Sequence, residues 1–167
     1  MRPFLDLLPV AGFAGVIITA AFEDCRRLII PNPLVLALLA LWPLELIVGP
    51  APIAPLPLLA AIGCASLVFA IGAALFARGL IGGGDVKLLA AAVLWSGAGG
   101  TPQLVILTGL FGGVLALFLL TPLGMQLSAL RGAALGPADS ALESNSVPYG
   151  LAIAAAAIIV VVPPHFS

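Results

Sequence analysis

The feature that most constrains this chain is the recurrence of apolar runs long enough, or nearly long enough, to cross a bilayer. Residues 4–22 carry a single charge, Asp6, close to their start. At about 1.5 Å per helical residue they cover roughly 28 Å, which suffices to span. Further runs predict helices over about 34–48, 58–76, 86–96, 103–121 and 148–162. The fourth is the exception, because eleven helical residues reach only about 17 Å against a hydrocarbon core of roughly 30 Å. Either the glycine segment before it enters the membrane or the element is re-entrant, and its backbone must then be covered by protein or water. With 62% hydrophobic and 8% charged residues, where a soluble domain carries about 25% charge, the expected class is an all-α membrane protein. It should have about six transmembrane helices in a single domain, 1–167.

The breaks between runs are as informative as the runs. Glu23-Asp24-Cys25-Arg26-Arg27 follows the first run directly. A basic cluster there retains that end in the cytoplasm, which argues for a helix that stays rather than a cleaved signal peptide. Pro31 and Pro33 interrupt any helix continuing past them, and Pro43 predicts a kink in the second helix. Gly97-Ala98-Gly99-Gly100-Thr101-Pro102 predicts a stop after the fourth, and 124–147 reads as the longest polar connection. Gly109, Gly112 and Gly113 offer small faces for close helix packing, and Tyr149 stands where an interfacial aromatic would sit.

With six spans, Arg26, Arg27, Arg78, Lys87 and Arg131 share one side and Arg2 alone falls on the other. The positive-inside rule then puts both termini outside and the charged turns in the cytoplasm. The net charge of −1 comes without a basic stripe, which gives nucleic acid nothing to bind. Cys25 and Cys64 fit neither a disulfide framework nor a metal motif, and His165 reads as a loose terminal residue. No cofactor and no metal is expected, since Glu23, Asp24 and Asp85 could supply carboxylates but no histidine lies near them in sequence.

Two acids stand out. Asp24 closes the first predicted helix, and Asp85 opens the fourth after Gly82-Gly83-Gly84. Both fall at the same boundary, and an ionisable group beside hydrocarbon costs roughly 2.5–3.5 kcal/mol at mid-span on insertion scales. Two carboxylates a few ångströms apart do not both ionise readily, so such a pair holds one proton near neutrality. The ionised member can take a proton from water while the protonated member hydrogen-bonds a peptide carbonyl. The plainer alternative makes Asp85 a helix N-cap and Asp24 an interfacial charge beside Arg26 and Arg27. Gly82 and Gly84 give the loop its freedom and the space for Asp85 to approach a partner. Lys87 reads as an anchor at the interface or a charge that tunes the aspartates, and Glu45 as a structural acid on the far side.

Gly82-Gly83-Gly84-Asp85 with Val86-Lys87-Leu88-Leu89 resembles the GxGD signature of the type IV prepilin peptidases. Asp24 with Arg27-Leu28-Ile29-Ile30-Pro31-Asn32 looks like the family's first aspartate and its trailing Ile-Pro-Asn. Val147-Pro148-Tyr149-Gly150-Leu151-Ala152 is similar to the opening of the last helix in the short, Tad/Flp-pilus type. The resemblance implies a bacterial inner-membrane aspartyl endopeptidase with catalytic Asp24 and Asp85. Its partners would be the lipid bilayer and a prepilin whose basic leader is cut after a glycine at the cytoplasmic face; the oligomeric state stays open. Longer members carry a cysteine-bearing cytoplasmic region and N-methylate their product, so the resemblance argues against methyltransferase activity here. An archaeal-type preflagellin peptidase and, in another class, a small proton-coupled transporter are the competing readings.

Overall fold

Hydrocarbon offers no water to bond a free amide or carbonyl, so apolar runs of this composition satisfy their backbone as helix. The computed structural model describes residues 2–48, 54–135 and 147–163, and helix accounts for nearly all of them. The helices are α1 (Arg2–Arg27), α2 (Asn32–Val48), α3 (Pro55–Ala77), α4 (Gly83–Leu119), α5 (Pro122–Leu135) and α6 (Tyr149–Val161). Leu7–Arg27, Pro55–Ala77 and Gly83–Leu119 are long and apolar enough to cross a membrane, whereas α2 and α6 are apolar but shorter.

Helix α1 outlasts the apolar run that announced it and carries the charged stretch as its last turns. The i,i+4 ion pair Glu23–Arg27 (3.5 Å) is one reason. Arg26 and Arg27 also sit at the negative end of the helix dipole, with the Arg26 guanidinium over the Phe22 ring at 5.3 Å. Leu28 then turns the chain with a φ of 51°, its N–H bonded to the Asp24 carbonyl.

The predicted fourth and fifth helices prove to be two arms of α4, and one residue separates them. Gly97 (φ 64°, ψ 178°) is the break. That conformation is essentially reserved for glycine, so helix resumes at once through Thr101 and Pro102, where the sequence suggests a six-residue stop. Thr101 Oγ1 ties the second arm back to the Gly97 carbonyl at 2.7 Å. A straight helix would set residues 85 and 112 about 40 Å apart. Instead Gly112 meets Tyr149 while Asp24 touches Gly150 and senses Asp85. The chain therefore doubles back at Gly97, and the second arm returns along α6, from Val160 at Gly100 to Tyr149 at Gly112.

The stretch expected as the longest connection is also corrected. Pro122–Leu135 is helical, and residues 136–146 lie outside the described residues, as does His165. Pro122 suits a first helical turn, and Thr121 caps it by accepting the Gly124 N–H at 3.2 Å.

The core gathers Phe13 and Ile17 of α1, Leu38 of α2, Leu88, Val93 and Leu104 of α4, and Ile153 of α6. Alanines 152, 154, 156 and 157 let α6 lie close between α1 and α4. Phe13 and Trp95 rings meet at 4.7 Å, and Trp95 Nε1 donates to the Leu38 carbonyl at 3.0 Å. Helix α3 packs chiefly on α4 and turns Leu59, Leu67, Phe69 and Ile71 outward, a face suited to lipid.

Candidate active site

Asp24 is a buried polar residue of the core, 4% exposed. What holds it is α6: the Gly150 backbone N–H donates to Asp24 Oδ2 at 2.7 Å across 126 residues of chain. Gly150 is the second residue of α6, so the carboxylate sits at the positive end of that helix.

Asp85 reaches the same place from α4. The N-cap is Gly82, so the capping role that the sequence allows for Asp85 is not the one it takes. Asp85 stands three positions further on, in the first turn, and its carboxylate turns back to the Gly82 backbone amide. That contact is the third-residue half of a capping box. The charges of Asp85 and Asp24 act on one another across the gap between α1 and α4. Two helix N-termini thus converge on two carboxylates.

The surrounding glycines are explained by what a Cβ would meet. At Gly82 it would stand 2.7 Å from Asp85 Oδ2, and at Gly150 it would stand 2.7 Å from Asp24 Oδ2. At Gly84 the missing Cβ makes room for Ile30, at 3.1 Å. Gly83 is crowded by the Phe76 ring at 3.2 Å. Ile30 and Phe76 therefore cover the glycine segment from the α1–α2 link and from the end of α3.

Lys87 is exposed and donates to Asn32 Oδ1 at 3.0 Å, which joins the start of α2 to the start of α4. Two residues on from Asp85, it lies on roughly the opposite face of the helix. Glu45 is half-buried towards the far end of α2. Cys25 and Cys64 form no disulfide, and no cluster of three or more metal-ligating side chains occurs among the described residues.

Gly150 is the residue that sequence reasoning missed. It belongs to Val147-Pro148-Tyr149-Gly150, and a glycine two residues after a proline at a helix start was the available signal. Its long-range partner was not.

Two carboxylates within reach of each other's charge, one buried and one half-buried and each touched by a backbone amide, can hold a water and polarise a carbonyl. The sequence profile of the type IV leader peptidase family matches residues 11–117, which contain both acids and the whole glycine segment. The chain belongs to that family. With membership comes the class of activity, an aspartic prepilin peptidase carried on membrane helices. Neither the curated proteins nor the solved structures provide a match to this peptidase.

Proposed function

We propose that this leader peptidase cleaves Flp-type prepilins after the glycine that ends their basic leader, with Asp24 and Asp85 as its catalytic dyad. The observation that supports the reading is that these two acids, at the end of α1 and in the first turn of α4, lie within reach of each other's charge. One carboxylate of the pair takes a proton from water as the oxygen attacks the scissile carbonyl carbon. The other, protonated, hydrogen-bonds the carbonyl oxygen and stabilises the developing charge. Collapse of the tetrahedral species breaks the C–N bond, and the departing nitrogen takes the proton gained from water. No metal or cofactor enters the scheme.

The basic residues at the acids' end favour placing this end in the cytoplasm and both termini outside. The Val147-Pro148-Tyr149-Gly150 stretch, similar to short Tad/Flp-type members, supports the Flp-type substrate. Asp24→Asn and Asp85→Asn, each co-expressed with a Flp-type prepilin, should insert normally and lose leader removal by about 10²–10⁴-fold. Full cleavage by either variant, read on a gel of membrane fractions, would remove the dyad.

A further inference from the structure

Asp24 lies in the last turns of a long helix, far in sequence from the amide that donates to it. That amide belongs to α6, and the fit there is tight. A Cβ at Gly150 would stand 2.7 Å from Asp24 Oδ2 and 2.9 Å from its Cβ and Cγ. Real Cβ atoms essentially never sit under 3.0 Å from a neighbour, and the Asp24 Cβ and its backbone cannot swing aside as a long side chain could. The start of α6 is itself pinned on its other side. Its Tyr149 ring lies where a Cβ on Gly112 would be, with ring atoms 2.7 and 2.9 Å from that position. One helical turn is therefore wedged between α1 and the second arm of α4, and its amide points at the acid.

We infer that Gly150 is a positioning residue for the peptidase reaction. Its backbone N–H sets the Asp24 carboxylate in its working orientation, and its lack of a Cβ is what lets the helix come close enough to do so. The inference rests on Asp24 being a member of the catalytic pair. It predicts a specific phenotype for Gly150→Ala, which keeps the N–H but adds the Cβ. Misplacing a catalytic group by about 1 Å costs on the order of 10²-fold in rate, so kcat should fall roughly 10- to 100-fold. KM for the prepilin should change little, because Asp24 is displaced rather than the substrate's seat.

The control is Gly100→Ala, which crowds the same α4–α6 contact at its other end, with Ser96 and Val160 atoms at 3.0 Å. It should alter stability and leave kcat of the folded enzyme within about twofold. Steady-state cleavage of a purified prepilin in detergent gives both parameters. A kcat for Gly150→Ala close to that of the parent, or equal losses in the two variants, overturns the inference. Should Gly150→Ala fail to accumulate, the double variant Asp24→Gly, Gly150→Ala decides. Recovery of folded protein supports the contact, and continued failure overturns it. Asp24→Asn separates the two levels: cleavage by that variant removes the dyad, whereas an inactive Asp24→Asn beside a fully active Gly150→Ala removes only the role of Gly150.

Discussion

Gly72 of α3 and Val86 of α4 offer the sharpest test of how Asp85 is held. A Cβ at Gly72 would lie 2.6 Å from Val86 Cγ1 and 3.1 Å from Cγ2, whereas carbon atoms in good contact sit at about 3.5–4.0 Å. The shortfall is about 1 Å. Val86 is 5% exposed, and a β-branched side chain in a helix has essentially one χ1 well. It has no second rotamer to retreat into, so the helices must part. Overpacking of this kind costs about 1–3 kcal/mol, against roughly 1 kcal/mol gained by replacing a helical glycine with alanine. Gly72→Ala should therefore be destabilising by up to about 2 kcal/mol. Val86→Ala alone removes two buried carbons, a loss of about 1.6 kcal/mol before any cavity term.

The double variant should break additivity. The new Cβ at position 72 enters the space that the two γ carbons vacate, so each change relieves the other. Coupling of about 1–3 kcal/mol in the favourable direction is expected for residues in direct contact. Reversible denaturant unfolding in detergent gives the four stabilities of the cycle. Because Val86 adjoins Asp85, prepilin cleavage should fall in Gly72→Ala and recover in the double variant. Additivity within about 0.5 kcal/mol would mean that α3 does not set the position of α4, and the packing described for Asp85 would be wrong.

Two further tests address the scaffold. Nothing lies within 4 Å of a Cβ at either Gly97 or Gly99, yet only Gly97 has a positive φ. Gly97→Ala should thus cost about 1–3 kcal/mol from backbone strain alone, while Gly99→Ala should be neutral or stabilising by up to about 1 kcal/mol; thermal unfolding of the pair in detergent reads the opposite signs. Trp95→Phe keeps a ring near Phe13 but removes the donor to the Leu38 carbonyl. It should cost about 1–2 kcal/mol in denaturant unfolding, and an unchanged midpoint would show that this bond contributes nothing.

How much of this was legible depended on whether the signal was local. Helical class was, because composition decides how a backbone can be satisfied in hydrocarbon. The two acids drew attention for a local reason too, standing in surroundings that resist charge. The turn at Gly97 was not, since six residues rich in glycine look like a loop and only the folded chain shows that one of them makes the reversal. Helix α5 carried readable marks in Thr121 and Pro122, but the polar residues further along outweighed them. The environments of Gly84 and Lys87 were out of reach, because Ile30 and Asn32 meet them only after α1 and α2 have packed.

The reversal at Gly97 has a consequence for the site itself. Its first arm, residues 83–96, is about 21 Å long, too short to span on its own, and it is the arm that begins with Asp85. A full-length helix could tilt or slide against its neighbours without losing contact with both interfaces. A short arm, tied at one end to a single glycine and at the other packed under Ile30 and Phe76, has less freedom to do so. Asp24 is fixed differently, by the amide of a helix that arrives from the far end of the chain. Each acid is thus positioned by an element that the other does not share, and the gap between them is set by how α1, α4 and α6 pack. Changes at Gly72 and at Gly150 should consequently impair cleavage by separate routes, one moving Asp85 and the other Asp24.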